Sequence, residues 1–127
     1  MNDRQLFRGK LKDSGKWAYG GYSEIDGHPV IVEPGERGFT FHIVAPGTVG
    51  QCTGLKDREG MLMYGGDILR FNKGNPNVFV VYWSVEDHGW RLVQPSKVGR
   101  QPLSIDVEHH VVIGNIHDHP ELREEQA

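Results

Sequence analysis

Residues 51–71 read QCTGLKDREGMLMYGGDILRF and carry the clearest architectural information in the chain. The charged run at 55–60 predicts a turn, and the apolar residues at 61–64 predict a short strand. The Gly-Gly-Asp triplet at 65–67 predicts a second turn, because glycine supplies positive φ and aspartate bonds nearby backbone N–H groups. A new strand then begins at 68–71. Turns this close together are typical of an antiparallel β domain.

Glycine is unusually frequent in this chain. It supplies 17 of the 127 residues, about 13% against an ordinary share of ~7%. Since glycine weakens helices and serves turns, this composition predicts many short strands joined by turns. The clearest strand patterns are the alternation at 39–44 and the β-branched and aromatic run at 78–83, which is predicted to form a hairpin with 90–93.

The fold class predicted from these patterns is mainly β, or α+β at most. A seam near Gly50 divides an N-terminal β-meander subdomain, residues 1–50, from a second subdomain, residues 51–127, whose closely spaced strands are typical of a small barrel. The last strand is predicted at 109–116. The Asp-His-Pro-Glu sequence at 118–121 has the pattern of a helix start, so one short C-terminal helix is predicted there.

The chain is slightly acidic, with a formal net charge of −3 and a pI of about 6.1. A protein that holds nucleic acid through its phosphates usually carries a basic face, and the basic residues concentrate only near the N-terminus, at Arg4, Arg8, Lys10 and Lys12. Two interpretations stay open. These side chains either line the solvated edge of a strand, where charge discourages aggregation, or contact phosphates in a nucleic-acid-binding module.

Cysteine usage and the N-terminal sequence point to a compartment. Cys52 is the single cysteine, so no disulfide can form within the chain, which favours a reducing environment. The opening residues MNDRQLFRGK lack the apolar core of a signal peptide. No apolar run approaches the ~20 residues that a membrane helix needs. The expected location is therefore the cytoplasm, with no membrane partner.

Catalytic motifs were sought by their spacing. The phosphate-cradling GxxxxGK[ST] loop and the dinucleotide-binding GxGxxG fingerprint do not occur in the sequence. The serines lack a nucleophile-elbow context, and Asp67, after two glycines, is read as a turn residue that bonds backbone N–H groups. The sequence therefore predicts a protein that is not an enzyme, with no catalytic residue and no cofactor.

Histidines cluster near the end of the sequence, at His109, His110, His117 and His119. A metal site would need three or four converging ligands. His117 and His119 fall on a strand-to-helix turn, where side chains point apart. No metal ligand is predicted, and a small metal-assisted enzyme ranks last among the alternatives.

Two tryptophans flank the predicted hairpin turn, Trp83 and Trp90. Side chains of a strand alternate between two faces, so Trp83 faces outward if Tyr82 faces inward. An exposed tryptophan beside a second one would form an apolar patch suited to protein binding or to stacking of single-stranded bases. The candidate interaction surface is therefore Tyr82, Trp83 and Trp90.

Three ordered blocks of the sequence resemble the YopX family of phage and prophage proteins. The central block is TVGQ at 48–51, TGLKD at 53–57, a glycine at 60 and YGGDI at 64–68. The closing block is VIGNI at 112–116 followed by HPEL at 119–122, and the opening block is FRGK at 7–10 with WAYG at 17–20. Two positions depart from the family pattern, Cys52 in place of an aromatic and Gly65 in place of a longer side chain.

The resemblance implies a mainly β protein with an N-terminal strand meander and a C-terminal SH3-like barrel. It also implies a bacteriophage or prophage origin and a bacterial host cytoplasm. The family offers no established activity or catalytic residue to transfer. Its motif residues are expected to have structural roles, and in this chain they are Thr53, Gly54, Leu55, Asp57, Gly60, Gly66, Asp67, Gly114, Asn115 and Pro120.

Three hypotheses about function follow. The first is a non-enzymatic accessory protein that binds an unknown host or phage protein and assembles as a homo-oligomer, because small β proteins bury sheet edges and aromatic faces by self-association. The second is a nucleic-acid-binding module of phage replication or regulation, acting through the basic N-terminal residues. The third is the metal-assisted enzyme.

Overall fold

A computed structural model describes the chain over residues 6–71, 77–94 and 104–124. These residues form ten β-strands and one short helix. All the strand pairs are antiparallel. The prediction of a mainly β protein with one short C-terminal helix is confirmed.

The chain divides into two compact units. The first ends at Cys52 and the second begins at Thr53, and the sequence analysis placed its seam near Gly50. Cys52 itself is fully buried and is not in a disulfide, which suits a small apolar core residue.

The first unit is a meander of neighbouring strands. Hairpins join β1 to β2, β2 to β3 and β3 to β4, whereas the chain crosses from β4 at one edge to β5, which pairs with β1. The strands are β1 (Phe7–Lys10), β2 (Trp17–Ile25), β3 (His28–Gly35), β4 (Gly38–Ile43) and β5 (Gly50–Lys56), the last of which continues past the boundary. They belong to a six-stranded sheet of order β4-β3-β2-β1-β5-β6, in which β6 (Leu62–Tyr64) pairs with β5 beyond the boundary.

A small apolar cluster stabilises this meander. Its buried members are Ala18, Ile31 and Val44, against which Phe7 and Leu11 pack. Burial of the Ile31 and Val44 side chains contributes about 1.5–3 kcal/mol each to folding. One face of the meander therefore has a core, while several apolar residues elsewhere on β2 and β4 stay exposed.

The backbones of β2 and β3 approach each other closely at Gly20. A Cβ placed on Gly20 would lie 2.2 Å from the carbonyl oxygen of Val32 on β3, which is far inside van der Waals contact. Only glycine lets the two backbones approach this closely.

The second unit contains a four-stranded antiparallel sheet. Its sheet order is β10-β7-β8-β9, and the core beneath it is formed by Met63, Leu69, Phe79, Val81 and Leu92. The finer prediction of an SH3-like barrel for this unit stays a prediction. The elements are β6 (Leu62–Tyr64), β7 (Asp67–Phe71), β8 (Val78–Ser84), β9 (Gly89–Val93), β10 (His110–Asn115) and α1 (Pro120–Glu124).

The outer edge of β10 is covered by the charged turn after β5. The carbonyl oxygen of His110 accepts a hydrogen bond from the Arg58 N–H at 3.1 Å, and the Val112 N–H donates to Asp57 Oδ2 at 2.9 Å. The pairing of β10 with β7 also shifts register between Val112 and Gly114. A bulge and a covered edge are two of the devices by which proteins prevent a sheet from growing.

The helix α1 has five residues. In the parts of the chain that are described, no helix is both long and apolar enough to cross a membrane. Asp118, which the sequence pattern placed at the cap, lies two residues before the helix and accepts a hydrogen bond from Asn115 Nδ2 at 3.2 Å.

Candidate binding surface

Trp83 and Trp90 face each other across the β8–β9 hairpin. Their ring centroids are 5.4 Å apart with an interplanar angle of 81°, an edge-to-face arrangement. Trp90 packs against the core of the second unit, while Trp83 is 50% exposed. Edge-to-face pairs of this kind contribute about 0.5–1.5 kcal/mol beyond the area they bury, so the exposed indole is held in a defined orientation.

The turn that joins the two strands is fastened by side chains. Ser84 Oγ accepts a hydrogen bond from the Asp87 N–H at 3.1 Å and donates to Asp87 Oδ2 at 3.2 Å. Arg91 Nε lies 3.5 Å from the same carboxylate oxygen. His88 takes a positive φ of 53°, and Val85 projects from the turn with 75% of its surface exposed. The turn thus presents apolar surface next to Trp83 on a rigid hairpin.

Tyr82 does not share this surface. Val81 pairs with Leu92 and Trp83 pairs with Trp90, so Trp83 lies on the core side of β8, and Tyr82, partly buried, lies on the opposite side. Trp83 is exposed because the core ends before the tip of the hairpin. The sequence predicted an outward Trp83 only if Tyr82 faced inward; Trp83 is exposed beside Trp90, although it shares its side of β8 with Val81.

The basic residues near the N-terminus are brought together in part. The Arg8 guanidinium carbon lies 4.7 Å from the centroid of the Trp17 ring, and the Lys10 ammonium lies 5.8 Å from it. Arg8 is nevertheless buried, with 7% of its surface exposed. Lys12 is exposed on the following turn, and Arg4 lies outside the described residues.

The histidines bond to nearby backbone and carboxylate groups. His109 Nδ1 lies 2.7 Å from Asp106 Oδ2, and His110 Nδ1 lies 2.7 Å from the Asp106 carbonyl oxygen. His119 Nδ1 accepts a hydrogen bond from the Asn115 N–H at 3.2 Å. Across residues 6–71, 77–94 and 104–124, no group of three or more His, Cys, Asp or Glu side chains is placed to hold a metal ion.

The Asp57 side chain accepts the hydrogen bonds that hold the charged turn in place. Its Oδ1 accepts hydrogen bonds from the Glu59 N–H at 2.8 Å and the Met61 N–H at 2.9 Å, and its Oδ2 reaches Val112. Gly60 completes the turn with a φ of 87°. The carboxylate is 7% exposed, and its acceptor sites are directed at backbone N–H groups.

Thr53, Gly54 and Leu55 lie in β5, just before that turn. Thr53 Oγ1 accepts a hydrogen bond from the Leu55 N–H at 3.0 Å. Gly54 has a φ of 83°, a conformation that glycine adopts without strain. Leu55 is 40% exposed.

Asp67 and Gly66 build the next turn. Asp67 is 1% exposed, and its Oδ2 accepts a hydrogen bond from the Tyr64 N–H at 2.7 Å. Gly66 has a φ of 91°. It donates its N–H to the Val81 carbonyl at 2.8 Å and accepts from the Ile116 N–H at 2.9 Å, so the turn joins three strands of the unit.

Gly114 and Asn115 build the last turn before Pro120, the first residue of α1. A Cβ on Gly114 would lie 2.6 Å from Nδ1 of His119. Asn115 Oδ1 accepts hydrogen bonds from the N–H groups of the residues two and three positions further on, at 3.0 Å and 2.9 Å. Gly114 and Asn115 therefore fix the backbone conformation of this turn.

Two exposed side chains have displaced pKa values. A hydrogen bond from His109 lowers the pKa of the Asp106 carboxyl below its ordinary value of 3.8. A hydrogen bond to the Glu24 carboxylate, 2.9 Å away, raises the pKa of Tyr22 above its ordinary value of 10.0. Both are local surface pairs outside the tryptophan hairpin.

One exposed feature escaped the sequence analysis. Phe39, Phe41 and Ile43 of β4 were expected on one face of a strand, and they are 68%, 60% and 52% exposed. Phe41 and Ile43 border an open groove of about 450 Å³, whose lining includes Leu11 and Asp13. Alternation identifies the shared face but cannot tell whether that face is covered.

Together these observations define a class: a small antiparallel β protein with exposed aromatic hairpins and polar motif residues that hold turns. The family model described as "YopX protein" matches residues 6–124, and the chain belongs to this family, as its sequence blocks predicted. A search of curated proteins gave no match.

A solved structure shares the fold. The chain is similar to the crystal structure of protein EF1440 from Enterococcus faecalis, with a TM-score of 0.55 and 20% sequence identity. The match covers 92% of this chain and 96% of that one. The likeness supports the architecture described above.

Proposed function

We propose that this chain is a non-enzymatic accessory protein of a phage or prophage that acts in the cytoplasm of the bacterial host. It binds another protein, of host or phage origin, and assembles with copies of itself. The observation that carries the binding proposal is the half-exposed Trp83, fixed against Trp90 on a fastened hairpin.

The chemistry of the hairpin suits a protein partner. Binding hot spots are enriched in tryptophan, and Val85, in the turn of the same hairpin, adds an apolar side chain that is 75% exposed. Because the indole is already oriented, little conformational entropy is lost when a partner covers it.

A role without catalysis agrees with how the polar motif residues are used. The carboxylates of Asp57 and Asp67 and the amide of Asn115 all accept hydrogen bonds from backbone N–H groups. Side chains engaged in this way hold loops in place and have little capacity left to bind or transform a substrate.

The test is a comparison of wild type, Trp83→Ala and Trp83→Phe as affinity baits in extracts of a phage-carrying host. Proteins retained by wild type and lost with Trp83→Ala are then purified, and their affinities are measured by calorimetry. Truncation of a central tryptophan costs at least about 2 kcal/mol, hence roughly 30-fold in Kd, and Trp83→Phe is expected to lose less.

Met61→Ala is the matched control, because Met61 is an apolar residue of the same unit and is 57% exposed. The proposal would be overturned if Trp83→Ala retained the same proteins at wild-type affinity. The proposal would also be overturned if neither the wild type nor any of the variants retained a protein.

Nucleic-acid binding is the second candidate, and a specific observation favours it. Arg8 and Lys10 lie over Trp17. Proteins that bind single-stranded nucleic acid combine cationic and aromatic side chains in this way. Against it stand the burial of Arg8 and the net charge of −3.

Fluorescence anisotropy with single- and double-stranded oligonucleotides across a salt series tests this candidate. Phosphate contacts give an affinity that falls steeply with salt, and Lys10→Ala or Lys12→Ala would flatten that dependence. Lys56→Ala, an exposed lysine beyond the first unit, is the control. Absence of salt-dependent binding removes the candidate.

A further inference from the structure

The first unit has an open sheet edge at β4. Val44, just after this strand, donates its N–H to the Pro29 carbonyl of the β3 side at 3.2 Å. Since backbone groups alternate along an antiparallel ladder, the groups of Phe39, Phe41 and Ile43 point away from β3. Ile43 agrees with this assignment, because its carbonyl accepts the Lys12 N–H at 3.2 Å on the outer side.

The outer groups of Phe39 and Phe41 are not used by the rest of the unit. Within residues 6–71, 77–94 and 104–124, no hydrogen bond reaches the N–H or C=O of either residue from beyond β3. The edge of β10 is treated differently, since Arg58 and Asp57 cover it. An uncovered edge with exposed phenylalanines is a template for another strand.

We propose that a second copy of this chain adds its β4 to this edge, in an antiparallel pair centred on Thr40. In this register Phe39 of each copy lies opposite Phe41 of the other. Each such pair exchanges two backbone hydrogen bonds, so all the outer groups of Phe39 and Phe41 are satisfied in both copies. The inference deepens the self-assembly in the proposed function and rests on it.

The register is selected by the end of the edge. A shift that centred the pair on Phe41 would require the Ile43 carbonyl, which Lys12 already occupies. Centring on Thr40 uses only the open groups. A two-fold interface must be self-complementary, and this stretch of β4 meets that condition.

The side chains are self-complementary as well. Paired residues of antiparallel strands project to the same face, so the exposed rings of Phe39 and Phe41 meet those of the second copy in a cluster of four. The neighbouring groove, lined by Phe41, Ile43 and Leu11 among others, lies where Phe39 of the second copy arrives.

Charges at the two ends also match. The β3–β4 turn carries Glu36 and Arg37, and the β1–β2 turn at the groove carries Lys12 and Asp13. In the proposed pair the first turn of one copy lies next to the second turn of the other. Each turn thus offers one acid and one base to its opposite.

Light scattering on a size-exclusion column, over a series of concentrations, is the first test. The wild type is expected to reach the mass of a dimer or a multiple of it, and Phe41→Pro is expected to halve that mass. Proline removes an outer N–H but none of the bonds to β3, and edge strands tolerate it. Unchanged far-UV circular dichroism shows that the variant is folded.

Two comparisons separate this contact from the tryptophan hairpin. Trp83→Ala is expected to leave the mass unchanged. If Trp83→Ala halves the mass while Phe41→Pro does not, the β4 pairing is wrong although self-assembly stands. A wild type that stays monomeric at its highest soluble concentration overturns both, and leaves the partner-binding part of the proposed function to its own test.

Cross-linking gives a measurement that does not depend on the proline variant. Thr40 would face Thr40 of the second copy in a non-hydrogen-bonded pair, with Cα atoms about 4.5 Å apart, within disulfide reach. Thr40→Cys is expected to form a covalent dimer under mild oxidation. His42→Cys, two residues along the same strand, is expected to stay monomeric, and equal cross-linking of the two would overturn the register.

Discussion

Replacing Asp57 tests the role assigned to the charged turn. The carboxylate accepts hydrogen bonds from Glu59, Met61 and Val112 at 2.8–2.9 Å. Asp57→Asn keeps the shape and one oxygen, which still serves the two turn donors. Its amide N–H₂ then faces the Val112 N–H, donor against donor.

The magnitude follows from what happens to each donor. Glu59 and Met61 are exposed. Where a substitution removes the acceptor of their N–H groups, water can take its place, and each lost bond costs about 0.5–1 kcal/mol of stability. The Val112 N–H is inside a partly buried contact, and leaving such a donor unsatisfied costs about 1–3 kcal/mol. We expect Asp57→Asn to lower the free energy of unfolding by about 2 kcal/mol and Asp57→Ala by about 3 kcal/mol.

Equilibrium urea unfolding followed by tryptophan fluorescence measures both variants, with an unchanged m-value as the sign of an intact native state. Asp26→Asn is the control, because Asp26 is an exposed turn residue with a positive φ of 52° that asparagine also accepts. Its effect should stay within about 0.5 kcal/mol. If Asp57→Asn also changes the free energy of unfolding by less than about 0.5 kcal/mol, the hydrogen bond to Val112 does not have the stabilising role assigned to it.

Three further outcomes are expected. Gly20→Ala would place a Cβ 2.2 Å from a carbonyl oxygen, so chemical unfolding should show the first unit destabilised by about 3 kcal/mol or more. Gly35→Ala, whose Cβ would have its nearest contact at 3.6 Å, should change stability little, and equal effects of the two substitutions would contradict the close approach. Asn115→Ala, which removes the acceptor of two backbone N–H groups, should lower the thermal midpoint by an amount equivalent to about 1–2 kcal/mol, and an unchanged midpoint would show that these bonds contribute nothing. The lowered pKa of Asp106 means that its small contribution to stability is present above the ordinary carboxyl pKa and is lost as the pH falls through the lowered value; in an NMR titration, His109→Ala should move this pKa upward, and no movement would remove His109 as the cause.

Local patterns predicted much of the architecture. The alternation at 39–44 and the β-branched run at 78–83 both became strands, because period two and side-chain shape act over a few residues. The short helix was predicted for a similar reason, since a proline after a polar turn is compatible with a first helical turn. The mainly β class and the family followed from the same kind of local information.

Contacts between residues far apart in the sequence could not be predicted from these local patterns. The Asp57 turn was predicted, yet nothing in its neighbourhood reveals that the carboxylate reaches a residue 55 positions away. Trp83 was expected to be exposed by alternation, and it is exposed because the core stops short of the hairpin tip. The burial of Arg8, which shares Trp17 with the partly exposed Lys10, likewise depends on partners from other strands. The open β4 edge is a property of sheet order, which no single strand encodes.

The bonds from Asp57 and Arg58 to β10 also set an order of events during synthesis. The first unit has all its strands' pairing partners soon after residue 52 is made, whereas the edge of the second sheet waits for residues 110–112. At ~5–20 residues per second the ribosome needs roughly 3–12 seconds for that interval. Throughout it β7 lacks the strand that finally flanks it, so the nascent chain depends on the solubility of its charged turn, and a slow codon run before β10 would lengthen the period in which it is open to aggregation.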